Sequence, residues 1–95
     1  MPAYLIADVN VTDDARYDDY KQKVAPQIAK YGGRFLSRAG AHAVLEGAWQ
    51  PHRLVLIEFP DMAALQAWYR SPEYAPLIAL RKTASSGNLV ALEGS

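Results

Sequence analysis

Arg53-Leu54-Val55-Leu56-Ile57-Glu58-Phe59-Pro60 decides how this chain folds. From Leu54 onward every residue but Glu58 is apolar, so neither face of a strand here can be left to water. A strand covered on both faces belongs in the middle of a sheet. Its partner is Ala3 to Val11, which is polar only at Asp8 and Asn10, toward its end. Period-two alternation gives two clean apolar rows, Leu5, Ala7, Val9 and Val11 in one strand and Val55, Ile57 and Phe59 in the other. Those rows are expected to face helices. The alternate rows, Tyr4, Ile6, Asp8, Asn10 and Leu54, Leu56, Glu58, begin apolar and end polar.

Between the two strands, Thr12 is positioned to cap a helix whose first turn holds Asp13 and Asp14, acids favoured by the helix dipole. Tyr17, Tyr20, Val24, Ile28 and Tyr31 recur at steps of three and four, a buried stripe opposite charged residues. Pro26 lies inside this pattern and predicts a kink or a split near Ala25; Gly32-Gly33 ends the helix. Arg34 to Arg38 alternates weakly as a strand, with a resumption expected over Ala43 to Glu46 after a bend at Gly40. A loop follows from Gly47 to His52. After the Arg53 strand, Asp61 caps a short helix from Met62 to Tyr69. Ser71-Pro72-Glu73 is a second helix start, and Pro76 divides it into one turn over 72–75 and a helix over about 76–85. Ser85 to Asn88 reads as a turn and Leu89 to Glu93 as a last strand.

The order strand, helix, strand, strand, helices, strand is the split βαβ pattern of an α+β, ferredoxin-like βαββαβ sandwich with a four-stranded antiparallel sheet, its first and third strands central. One domain over residues 1–95 is expected, since 95 residues supply a single core. The sheet face away from the helices would show Tyr4, Ile6, Leu54 and Leu56 to water, an apolar patch unusual for a monomer. A homodimer packed sheet against sheet follows.

Ten basic and ten acidic residues balance, leaving no electrostatic footprint for nucleic acid or an anionic membrane. There is no cysteine and there are two histidines, which removes thiolate chemistry and makes a conventional metal site improbable. The N-terminus lacks a basic region and Asp8 interrupts its apolar run, so neither a signal peptide nor a membrane span is expected, and a cytoplasmic location is.

Met1-Pro2-Ala3-Tyr4, Tyr31-Gly32-Gly33-Arg34, Leu45-Glu46-Gly47, Val55-Leu56-Ile57-Glu58-Phe59-Pro60 and Ser71-Pro72-Glu73-Tyr74, in this order, resemble the bacterial domain-of-unknown-function family numbered 1330. The resemblance covers essentially the whole chain. It implies membership of the dimeric α/β-barrel superfamily, in which two ferredoxin-like subunits join their sheets, and a neighbourhood that includes cofactor-independent monooxygenases, small isomerases and heme proteins. It names a fold rather than a reaction.

Chemistry at fixed positions has few carriers here. Asp8 and Glu58 fall on the same mixed face and, with the central strands parallel as expected in this fold, both lie toward the same end of the sheet, an acid/base pair with divided pKa values. Alternatively Arg34 or Arg38, expected on the same row, neutralises Glu58. Arg38 could clamp a carboxylate or enolate, or form a structural salt bridge. Tyr69, Ser71 and Tyr74 offer hydroxyls near the junction of the later helices, with Trp68 and Trp49 as aromatic walls or as plain packing. Arg81 could close such a pocket or face solvent. His42 and His52 sit in or beside loops without a visible acid partner, and neither is placed to hold heme. The candidate catalytic residues are therefore Asp8, Arg38 and Glu58, and the candidate ligand-binding residues Arg38, Glu58, Tyr69, Ser71 and Tyr74, with no metal and no cofactor. These point to a small-molecule-binding homodimer, extending to a cofactor-independent monooxygenase-like or isomerase-like enzyme acting on a small organic acid or aromatic compound. The competing reading is a non-catalytic structural or regulatory dimer module.

Overall fold

The computed structural model describes residues 1–95. Strands β1 (Ala3–Val11), β2 (Arg34–Arg38), β3 (Arg53–Phe59) and β4 (Ser85–Glu93) form one sheet in the order β2-β3-β1-β4, with helices α1 (Asp14–Lys30), α2 (Met62–Tyr69) and α3 (Ala75–Ala84) between them. The two most apolar runs are the central strands, as expected. All adjacent strands are antiparallel. Ala3, Leu5, Ala7 and Val9 of β1 and Val55, Ile57 and Phe59 of β3 are buried in one cluster with Tyr17, Tyr20, Val24 and Ile28 of α1, Leu65 and Trp68 of α2, and Leu77 and Ala84 of α3. All three helices therefore cover one face of the sheet.

Several local expectations change. Asp13, not Thr12, caps α1, its carboxylate accepting from the Arg16 backbone N–H at 3.1 Å. Thr12 instead donates its own N–H to the Ala84 carbonyl, tying β1 to the end of α3. Pro26 does not split α1, which runs unbroken to Lys30. Both Pro26 and Gln22, whose carbonyl loses its i+4 N–H partner to the proline, are on the exposed side of the helix. Residues 43–46 form no strand. Ser85 to Asn88 is not a turn but the start of β4, held by pairing of Ser85 with Val11 and Asn88 with Asp8. Ser71 caps a single turn over 72–74 rather than the helix itself, and α3 follows with Tyr74 as its N-cap and no side-chain cap. Ser71 Oγ donates to the Trp68 carbonyl at 2.8 Å and accepts the Tyr74 N–H at 3.1 Å, and α3 begins one residue later.

The other sheet face carries no helix. Tyr4, Ile6, Leu54 and Leu56 are half-buried there, and Val90 and Leu92 of β4, paired with Ile6 and Tyr4, are 56% and 55% exposed. Residues 39–52 form a long exposed connection pinned beside this face. Its anchor is Asp8, whose carboxylate accepts the Trp49 indole N–H and the His52 backbone N–H, each at 2.9 Å. These two donors hold the Asp8 carboxyl below the usual carboxylate range.

Candidate functional site

Register separates the expected acid/base pair. Asp8 lies opposite Leu54 and Glu58 opposite Tyr4, four residue steps apart along antiparallel strands, or roughly 13 Å. Central strands of this fold run antiparallel, so the two carboxylates stand at opposite ends. Glu58 accepts from Arg34 Nε at 2.8 Å on the helix-free face. Asp8 is engaged by Trp49 and His52, and the open polar hollow beside it, with Asn10, Ser86 and Asn88, has no convergent charge beyond it and His52.

Arg38 leaves Arg34's row because β2 contains a bulge. Phe35 pairs with Ile57, but Ser37 pairs with Leu56 and Arg38 with Val55, so Leu36 is the extra residue. Strict alternation would put Arg38 on the helix-free face; the bulge returns it to the helix side, stacked 3.8 Å from the centre of the Phe35 ring.

Arg38 thereby joins a cavity of about 70 Å³ between the sheet and the helices. Sixteen residues line it, twelve of them hydrophobic, including Tyr17, Tyr20, Val24, Phe35 and Trp68; the other four are Lys21, Arg38, Arg53 and Arg81. Every charged group in the wall is thus a cation. Lys21 pairs with Asp18 at 3.1 Å on the surface. Arg38, Arg53 and Arg81 are in no ion pair. Arg53 instead lies 5.5 Å from the centre of the Tyr17 ring. Arg53 Nε, Arg81 Nε and Trp68 Nε1 are buried without a hydrogen-bond partner.

Of the expected lining residues, Tyr74 is fully buried and shares a 2.7 Å hydrogen bond with Tyr20, whose ring reaches the cavity. Burial pushes both phenols above their ordinary pKa, Tyr20 far above it, and the effect on Tyr74 is partly offset by its hydrogen bond with Tyr20 and by the Arg81 charge. Ser71 is committed to the backbone at the start of α3, and Tyr69 is 37% exposed, packed edge-on to Trp68 outside the cavity wall. His42 and His52 are exposed. Sequence reasoning passed over Arg53 and left Arg81 undecided, although both carry a period signal. Arg53 continues the row Val55, Ile57, Phe59 one step back, and Arg81 falls four after Leu77 and three before Ala84, on the buried stripe of α3.

The shape has counterparts among solved structures. A protein of unknown function from Rhodopseudomonas palustris matches with a TM-score of 0.80 at 20% identity, over 99% of this chain and 82% of that one. SnoaB, a cofactor-independent oxygenase from Streptomyces nogalater, matches with a TM-score of 0.69 at 14% identity, over 99% and 93%. HapK from Hahella chejuensis matches with a TM-score of 0.61 at 17% identity, over 98% and 92%. At such identities the likeness is one of fold. A comparison with curated proteins gives no match. No helix is long and apolar enough to cross a membrane. The family model described as Domain of unknown function (DUF1330) matches residues 2–95, and the chain belongs to that family.

Proposed function

We propose that this protein is a cytoplasmic, small-molecule-binding homodimer whose ligand site is the cavity between sheet and helices. The observation that carries the reading is the wall itself: an apolar and aromatic hollow into which a few polar groups converge, the usual make-up of a ligand pocket. The finer reading is a cofactor-independent enzyme of oxygenase or isomerase type acting on a small organic acid or aromatic compound, supported by the fold it shares with SnoaB. No carboxylate or imidazole lines the cavity. Such a wall fits chemistry in which the substrate supplies its own electrons. Arg38, carried to the cavity by the bulge, is the candidate from the sequence that this reading keeps; Glu58 and Ser71 become structural.

Dimerisation through the helix-free face is supported by Ile6, Leu56, Val90 and Leu92, which would otherwise leave an apolar strip in water. Native mass spectrometry at micromolar concentration should find a dimer for the wild type and a monomer for Val90→Lys; a monomeric wild type refutes this part. For the site, a ligand-observed NMR screen of small organic acids, phenols and quinones should yield binders that are lost in Ala7→Leu, which fills the cavity. Binders that survive that substitution contradict the cavity as the site. The non-catalytic module remains the second reading because about 70 Å³ is small against pockets of roughly 300–1,000 Å³, and it gains if no compound binds.

A further inference from the structure

The cavity's polar wall is unbalanced in two ways at once. It contains four cations and no acid. Of four buried side-chain atoms without a hydrogen-bond partner, three belong to cavity residues, and all three are N–H donors: Arg53 Nε, Arg81 Nε and Trp68 Nε1. The fourth, Gln27 Oε1, lies outside it. Guanidinium groups facing one poorly solvated space repel each other, and each buried N–H without an acceptor costs stability. Stacking on Tyr17 and Phe35 favours the charges of Arg53 and Arg38 but uses none of their N–H groups. A group that is negatively charged and only accepts hydrogen bonds answers both deficits.

We infer that the ligand of this cavity is a small organic carboxylate, which enters with its charged head toward Arg53, Arg81 and Trp68 and its carbon body along Val24, Phe35 and Val55. The inference rests on the cavity being the ligand site. Arg53 and Arg81 are half-buried and form the inner seat; Lys21 and Arg38 are exposed and stand at the rim, where they draw the anion in. About 70 Å³ is less than half of the roughly 150 Å³ cavity that admits benzene. A two- or three-carbon acid therefore fits inside, and a larger one leaves its far end at the rim. Ordered water could satisfy the N–H groups but not the charge, and this separates the two occupants experimentally.

The test compares acids with their neutral isosteres: propionate with propionamide, and benzoate with benzamide, by calorimetry and thermal melting at constant ionic strength. Each carboxylate should bind at least tenfold more tightly than its amide. At ten times its dissociation constant it should raise Tm by roughly 6–11 °C. Arg53→Met and Arg81→Met should each weaken propionate at least tenfold while leaving the ligand-free Tm equal or higher, because an unpaired charge has been removed; a purely structural arginine would lower it. If neither variant folds, the acid and amide comparison on the wild type stands alone. Amides that bind as tightly as acids overturn the anion class while leaving the cavity as a site. Absence of binding by all four compounds overturns both.

Discussion

Tyr20 and Tyr74 are 54 positions apart and share a 2.7 Å hydrogen bond at 7% and 0% exposure, fastening α1 to the start of α3 behind the cavity. Removing one hydroxyl loses the bond and strands the other oxygen in a dry place, so Tyr20→Phe or Tyr74→Phe should each cost about 1–3 kcal/mol. The double variant leaves neither phenol oxygen stranded and loses the net value of their bond, about 0.5–1.5 kcal/mol, together with the Tyr74 contact to Arg81. Its cost should fall short of the summed single costs by at least about 0.5 kcal/mol, a coupling measurable by urea unfolding followed through buried Trp68. The same pair predicts alkaline behaviour. Burial raises both folded-state pKa values above the ordinary 10.0, so below pH about 10 the two phenols are protonated in both states and their contribution is fully present. Above that pH the unfolded chain releases protons that the fold retains, and stability falls as pH rises. Phenolate absorbance from Tyr20 and Tyr74 should arrive only with unfolding, and the double Phe variant should show a shallower alkaline slope. Additive single costs, or ionisation of both phenols in the folded protein, would refute the buried pair.

Two further outcomes test the frame around the site. A Cβ on Gly87 would overlap the Asp8 carbonyl oxygen, so Gly87→Ala should lose more than about 2 kcal/mol in urea unfolding by forcing β4 off β1; a loss under about 0.5 kcal/mol, the scale of surface substitutions, would contradict that packing. Asp8, its pKa lowered by Trp49 and His52, contributes stability that is present above its ordinary value of 3.8 and lost as pH falls through the lower folded value. Asp8→Asn should free the connection over 39–52 at neutral pH, read as faster proteolysis within it, whereas unchanged cleavage would show that the loop is held by something else.

Much of the frame was legible because alternation and burial coincide. Val55, Ile57 and Phe59 face the helices as their spacing requires, and the Ser71 hydroxyl caps the turn over 72–74 that leads into α3. What stayed hidden depends on contacts far along the chain. The bulge at Leu36 is a mismatch between two strands, not a property of β2 alone, and it decides which face Arg38 joins. Asp8 looked like an acid for catalysis because its partners, Trp49 and His52, come from a loop more than forty residues away. Arg53 and Arg81 occupy buried rows that the periodicities mark, but charge at a row's end reads first as exposure; only the absence of an acid around them reveals a site.

The most direct test of the central claim is a titration of the ¹⁵N-labelled protein with propionate, following the side-chain Nε–H resonances of Arg53 and Arg81 and the Trp68 indole N–H. The account predicts that these three signals shift together and saturate, while the Arg34 Nε–H, bound to Glu58 on the other face, stays in place. Saturating shifts confined to surface lysines, or no movement of the three buried donors, would contradict it.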